Sequence, residues 1–225
     1  MTISLTDVTK VYKNRGKEVR ALDGITISIG FGEFVVITGP SGAGKSTLLS
    51  ILGGLEQPTS GFYTINGQAV GDWQKDVRMI IPCREISFVY QNLQFLPRMS
   101  ILQNVSLPLM NKDSDKKARY EQAAKALETV GLGYCMKNRL NTLNSGQRQQ
   151  AAVARALVND PDIVLADELM VNPDTKSGFA IRDALKTINR QGGTVILATP
   201  APDMIQPGQR LISVRDGRIV LNRKL

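Results

Sequence analysis

The stretch Gly39-Pro40-Ser41-Gly42-Ala43-Gly44-Lys45-Ser46-Thr47 has the residue types and order of a phosphate cradle. Its glycines let the backbone wrap so that N–H groups converge on phosphate oxygens, Lys45 reaches the β- and γ-phosphates, and Ser46 presents a hydroxyl to Mg²⁺. Gly39, Ser41, Gly42, Ala43, Gly44, Lys45, Ser46 and Thr47 are therefore the candidate nucleotide contacts. A second signal lies far downstream, where the apolar run Ile163, Val164, Leu165, Ala166 ends in Asp167 and Glu168. There Asp167 would hold Mg²⁺ through water, and Glu168 would orient or deprotonate an attacking water. The plainer reading, two solvated acids capping a strand end, gives way because the phosphate loop upstream supplies them with a ligand.

These residues need particular elements to carry them. The loop is preceded by the apolar pattern of a strand over 34–38 and followed by a helical pattern over 46–53, whose positive dipole end adds to the phosphate site. Residues 2–32 read as two or three short strands, with alternation clearest over 25–29, and 62–65 with the Asn66-Gly67 turn return to strand. Residues 86–90 form a further strand; from 92 to 145 the pattern becomes helices and polar loops, most regular over 118–130. Helices over 145–159 and 175–190, strands over 163–166 and 194–198, and a closing hairpin turned at Asp216-Gly217 complete the chain. The fold class expected is α/β: a P-loop NTPase, RecA-like core with an N-terminal antiparallel β lobe and an inserted α-helical subdomain. One domain spans 1–225, with the β lobe in 1–32 and 60–70, the nucleotide core in 33–58, 80–91 and 146–225, and the helical part in 92–145.

Composition bounds the rest. Apolar residues make up 42% of the 225, with no run near the roughly 20 apolar residues that cross a bilayer, and the N-terminus lacks a basic-then-apolar leader. A cytoplasmic protein is expected. Cys83 and Cys135 have no metal-ligand spacing and no histidine to complete a site, so both read as reduced bystanders. The net charge of +8, from 28 basic and 20 acidic residues, does not choose among nucleic acid, anionic lipid and bound nucleotide.

Leu143-Asn144-Ser145-Gly146-Gln147, opening a helix, resembles the leucine-serine-glycine-glycine-glutamine signature of the ATP-binding subunits of ABC transporters. The resemblance covers the whole chain. It makes Tyr12 similar to the aromatic residue that stacks on adenine, Gln91 to the glutamine that touches Mg²⁺ and the attacking water, and Asp174 to the aspartate of the loop joining two subunits. The run from Phe88 to Pro97, with Asn104-Val105, looks most like the lipoprotein-release, macrolide-export and cell-division group. The resemblance implies ATP and Mg²⁺ as ligands and a head-to-tail dimer in which Asn144, Ser145, Gly146 and Gln147 meet the ATP on the partner's phosphate loop. It implies two partners, an integral membrane permease subunit and a second ATP-binding subunit, identical or not, with the chain peripheral on the cytoplasmic face. No nucleic acid is expected: a soluble ABC protein working on nucleic acid would suit the charge, but there is one nucleotide domain and no basic extension.

The departures from the family pattern cluster in its hydrolytic machinery. Where the family places a histidine at the γ-phosphate this chain has Pro200, and it contains no histidine at all. Proline offers neither a side-chain donor nor an N–H. Asn144 replaces the serine and Ser145 the first glycine of the signature, and Leu169-Met170-Val171-Asn172-Pro173-Asp174 replaces the usual inter-subunit loop. The expectation is an ATP-binding subunit that hydrolyses slowly; the rival reading is a hydrolysis-deficient, ATP-gated regulatory subunit paired with an active paralogue.

Overall fold

The structure, a computed structural model, describes residues 2–14, 17–70, 86–90, 94–111, 115–169, 175–200 and 205–225. Its strands are β1 (Thr2–Asn14), β2 (Lys17–Gly30), β3 (Phe34–Thr38), β4 (Ser60–Ile65), β5 (Gln68–Ala69), β6 (Ile86–Val89), β7 (Ile163–Asp167), β8 (Thr194–Ala198), β9 (Arg210–Arg215) and β10 (Arg218–Lys224). Its α-helices are α1 (Lys45–Leu52), α2 (Ile101–Ser106), α3 (Lys116–Thr129), α4 (Ser145–Leu157) and α5 (Lys176–Arg190). The strands form a four-stranded antiparallel sheet, β2-β1-β4-β5, and a six-stranded sheet ordered β10-β9-β3-β8-β7-β6.

The N-terminal lobe differs from the sequence expectation of two or three short strands: β1 and β2 are long and pair along their whole length. Their register shifts between Leu5 and Val8, Val8 and Lys10, and Lys10 and Val11. Each shift breaks the in-and-out alternation, so the apolar spacing changes from two (Ile3, Leu5) to three (Val8), which reads as a strand end. Asp7, with φ 50, sits inside the first of these irregularities.

In the six-stranded sheet β6, β7, β8, β3 and β9 run parallel, and β10 closes the edge antiparallel. Strands buried on both faces call for near-continuous apolar runs, and β3, β7 and β8 have them, broken only at one end by Thr38, Asp167 and Thr194. Phe34, Val36, Val164, Ala166, Val195 and Leu197 join an apolar cluster with residues of α2 to α5. The alternate residues Val35, Ile37, Ile163, Leu165, Ile196 and Ala198 join a second cluster with α1 and the antiparallel lobe. The sheet is thus sandwiched, with α1 on one face and α4 and α5 on the other.

This arrangement fixes where a ligand can bind. The register pairs Ile37 with Ala198 and Asp167 with Ala198, so the carboxyl ends of β3, β8 and β7 lie side by side. In open α/β sheets that edge, where connections leave for opposite faces, is where ligands bind.

The region from 94 to 145 packs α2 against α3 and both against α4. A capping box of Ser100 and Gln103 starts α2. Fully buried Asn104 organises the preceding loop, accepting from Leu96 N–H (2.8 Å) and donating to the carbonyls of Leu96 (3.1 Å) and Ser100 (3.0 Å). Among the described residues no helix is long and apolar enough to cross a membrane.

Candidate nucleotide site

The loop after β3 requires glycine at two points for tertiary reasons. Gly39 has φ 154, and a Cβ there would collide with the Val214 carbonyl of β9; Gly44 has φ 103, and its Cβ would meet the Ala21 carbonyl of β2. The loop is therefore clamped between the parallel sheet and the antiparallel lobe. Gly44 also begins α1, which no side chain caps, so the first N–H groups of that helix point into the loop. Between Ala21, Ser41, Gly42, Lys45, Thr47 and Glu168 lies a cavity of about 280 Å³.

Lys45 is 3% exposed at the floor of this cavity. Its ammonium donates to the carbonyls of Gly39 and Pro40, both at 3.0 Å, and lies 3.5 Å from the Glu168 carboxylate. A buried cation held by its own loop is positioned for an anion. Ser46 Oγ donates to Asp167 Oδ1 at 3.1 Å, bridging the first turn of α1 to the end of β7. Burial pushes the Asp167 carboxyl above its ordinary range; the Ser46 hydrogen bond opposes that rise, Glu168's charge adds to it and Lys45 opposes it. A hydroxyl and a half-buried carboxylate side by side are hard oxygen donors suited to Mg²⁺, which binds through one or two carboxylates plus substrate phosphates rather than a protein cage.

Glu168 adopts φ 46, a left-handed conformation that non-glycine residues rarely take, and its N–H donates to Ala198 O at 2.9 Å. The turn swings its carboxylate off the strand toward Lys45 instead of along the sheet. A backbone held in this region beside Lys45 is strain that the surrounding ladder must maintain.

Tyr12, on β1, is 36% exposed and its phenol O–H donates to the Glu56 carboxylate, with Thr47 Oγ1 at 3.4 Å. It therefore stands beside the phosphate-loop helix. Asn144 and Gln147 form a capping box at the start of α4: Asn144 Oδ1 accepts from Gln147 N–H (2.9 Å) and Gln147 Oε1 accepts from Asn144 N–H (3.0 Å). The amide that replaces serine thus binds its own helix. Ser145 is exposed, and Gly146 sits where a Cβ would come within 2.8 Å of Ser177 Oγ and Cβ. Gln91 and Asp174 lie outside the described residues.

Pro200 is exposed and follows Thr199, whose N–H donates to Ile37 O at 3.0 Å. It occupies the same sheet edge as Asp167. Sequence reasoning missed three contributors: Glu56 and Lys10 around Tyr12, and Tyr134, whose hydroxyl accepts from Gln147 Nε2 at 2.8 Å. None stands in a motif, and only tertiary proximity reveals them. A larger hollow, about 540 Å³, lies at the other end of β3; its Arg210 is already engaged by Glu33 (2.9 Å), Asn222 (2.9 Å) and Ser28 O (2.7 Å).

The ABC transporter family pattern matches residues 22–171, which include the loop, the signature and the Asp167-Glu168 strand end. The chain belongs to the ABC transporter ATP-binding family. It is 41% identical over 218 residues, 97% of its length, to the uncharacterized ABC transporter ATP-binding protein YknY of Bacillus subtilis (strain 168), covering 95% of that protein. It is 42% identical over 223 residues to the macrolide export ATP-binding/permease protein MacB of Bdellovibrio bacteriovorus, covering 99% of this chain and 34% of that longer one. Among solved structures, the dimeric ABC transporter cassette MJ0796 superposes with a TM-score of 0.89 at 36% identity, covering 99% of this chain and 98% of that one. The same cassette, dimeric in a post-hydrolysis state with ADP and Pi, gives 0.89 at 35% identity. This chain is accordingly an ABC transporter ATP-binding subunit of the ATP hydrolase class, built on the α/β P-loop core with its antiparallel lobe.

Proposed function

We propose that two ATP-binding subunits, of which this chain is one, pack head to tail so that each Mg²⁺·ATP lies between one subunit's phosphate loop and the other's signature helix. The observation that carries this reading is the split of the site within one chain. The loop side is assembled, with Ser46 bonded to Asp167 and Lys45 beside Glu168, while Asn144 and Gln147 bind each other, and Gln147 binds Tyr134, at an exposed helix start. In the proposed assembly, ATP supplies the charge that Lys45 and the α1 N-terminus are arranged to meet, and Mg²⁺ would be held by Ser46 and Asp167, with Gln91 joining them. Tyr12 supports the base. Glu168 orients or deprotonates water, and Pro200 leaves the γ-phosphate one donor short, so turnover is slow.

The dimer acts on an integral membrane permease, which holds the chain on the cytoplasmic face. In support, a groove of about 320 Å³ opens between Gly53, Leu55, Phe88, Tyr90, Pro108 and Arg155, where β6 and the helical region meet just before Gln91. Movement of the helical region against the core on ATP binding would reshape that groove. Sedimentation of Glu168→Gln with Mg²⁺·ATP tests the assembly: dimer is expected, and Lys45→Ala in the same background should stay monomeric. A Glu168→Gln chain that remains monomeric at saturating ATP overturns head-to-tail closure between two copies of this chain.

A further inference from the structure

Glu56 follows α1 and belongs to no motif, yet it anchors one corner of the nucleotide site. Its carboxylate accepts the Tyr12 phenol O–H and pairs with the Lys10 ammonium at 3.2 Å. That ammonium also donates to Gln57 O at 2.8 Å and lies 5.1 Å from the centre of the Tyr12 ring. The phenol oxygen is 3.4 Å from the Thr47 hydroxyl, one residue beyond Ser46. Tyr12 is thereby fixed at its tip by a charge-assisted hydrogen bond and along its ring by a cation, while the residue stays 36% exposed.

We propose that Glu56 is a positioning residue for the purine base: with Lys10 it holds the Tyr12 ring as a platform set before the nucleotide arrives. The inference rests on the assignment of Tyr12 as the base-stacking residue. A tyrosine free to turn on a strand near the lobe's edge must be ordered by its ligand, and ordering one side chain costs affinity; ordering it in advance returns that affinity to binding. Burial and the Glu56 hydrogen bond hold the phenol above its ordinary range, with Thr47 opposing, so the O–H remains a donor. Lys10 has a second task. A bare carboxylate tied through Tyr12 to Thr47 would repel a triphosphate on the adjoining loop, and the ion pair cancels that charge.

Stacking reads the base and ignores the phosphates, which separates positioning from general damage to the loop. Binding of Mg²⁺·ATP and of Mg²⁺·tripolyphosphate by calorimetry on the full chain provides the test, with Tyr12→Ala, Tyr12→Phe, Glu56→Leu and Glu56→Gln. Glu56→Leu and Tyr12→Phe should each weaken ATP about three- to tenfold, the factor that ordering one side chain commands, and leave tripolyphosphate unchanged. Glu56→Gln, which keeps an acceptor at the same reach, should recover part of the loss. ATP affinity unchanged in Glu56→Leu but weakened in Tyr12→Ala overturns the positioning role and leaves the platform standing. Affinity unchanged in Tyr12→Ala overturns the platform and this inference with it, and a parallel loss of tripolyphosphate in Glu56→Leu assigns Glu56 to loop structure instead.

Discussion

Restoring a donor at position 200 should speed hydrolysis. Pro200 is exposed just beyond β8, the strand whose last residue, Ala198, accepts the Glu168 N–H at 2.9 Å and stands in register with Asp167. A histidine there would enter solvent-facing space at the phosphate edge without disturbing either apolar cluster. Losing one preorganised donor to developing charge costs on the order of 10²- to 10³-fold in rate. Asn144 and Ser145 still depart from the signature, and effects within one catalytic unit do not add, so Pro200→His is expected to raise steady-state turnover about 10- to 10²-fold. Removing a proline loosens the unfolded chain at a cost of about 0.4–1 kcal/mol, or about 1 to 4 °C in Tm for a chain of this size. The assay is phosphate release at saturating Mg²⁺·ATP with the permease partner present, comparing wild type, Pro200→His and Pro200→His with Glu168→Gln. The double variant should be inactive. Equal rates in wild type and Pro200→His, both lost on Glu168→Gln, would show that position 200 does not limit turnover.

Three further outcomes follow from the same geometry. Asp167→Asn should raise the Tm of the nucleotide-free protein at neutral pH while abolishing Mg²⁺-dependent ATP binding: the raised carboxyl favours the folded state when protonated, so its contribution is lost as pH climbs past the ordinary carboxylate value. The Tm gap between variant and wild type should be near zero in acid and widen toward neutrality, and a gap that is constant with pH would contradict the burial argument. Asn144→Ala removes the N-cap of α4 and should cost about 1 kcal/mol in urea denaturation, whereas Asn144→Ser keeps a cap and should tighten ATP-driven dimerisation. Gly39→Ala, whose Cβ meets the Val214 carbonyl, should abolish ATP binding and lower Tm, and a variant that binds ATP normally would refute the proposed clamping of the loop by β9.

What the sequence determined by itself was local chemistry. A glycine-rich turn between an apolar strand and a helix needs no distant partner to be read, and short continuous apolar runs announce buried parallel strands; strands β3, β7 and β8 fall where those runs stand. Alternation failed where the backbone departed from it: the irregularities in β1 turned one long strand into an apparent series of short ones. Patterns of period 2 or 3.6 reveal which face a residue takes, but not which strand lies beside it. Only the tertiary structure brought Ser46 to Asp167 across 121 positions, set Glu168 on a left-handed turn facing Lys45, and closed β9 over Gly39. The same holds for Asn144, whose side chain is committed to its own helix instead of reaching outward from the signature, and for Glu56, which follows α1 while its partners Tyr12 and Lys10 lie on β1. Pairing between distant segments depends on the summed fit of both faces of the sheet, a property of the whole folded chain that no single window of residues contains.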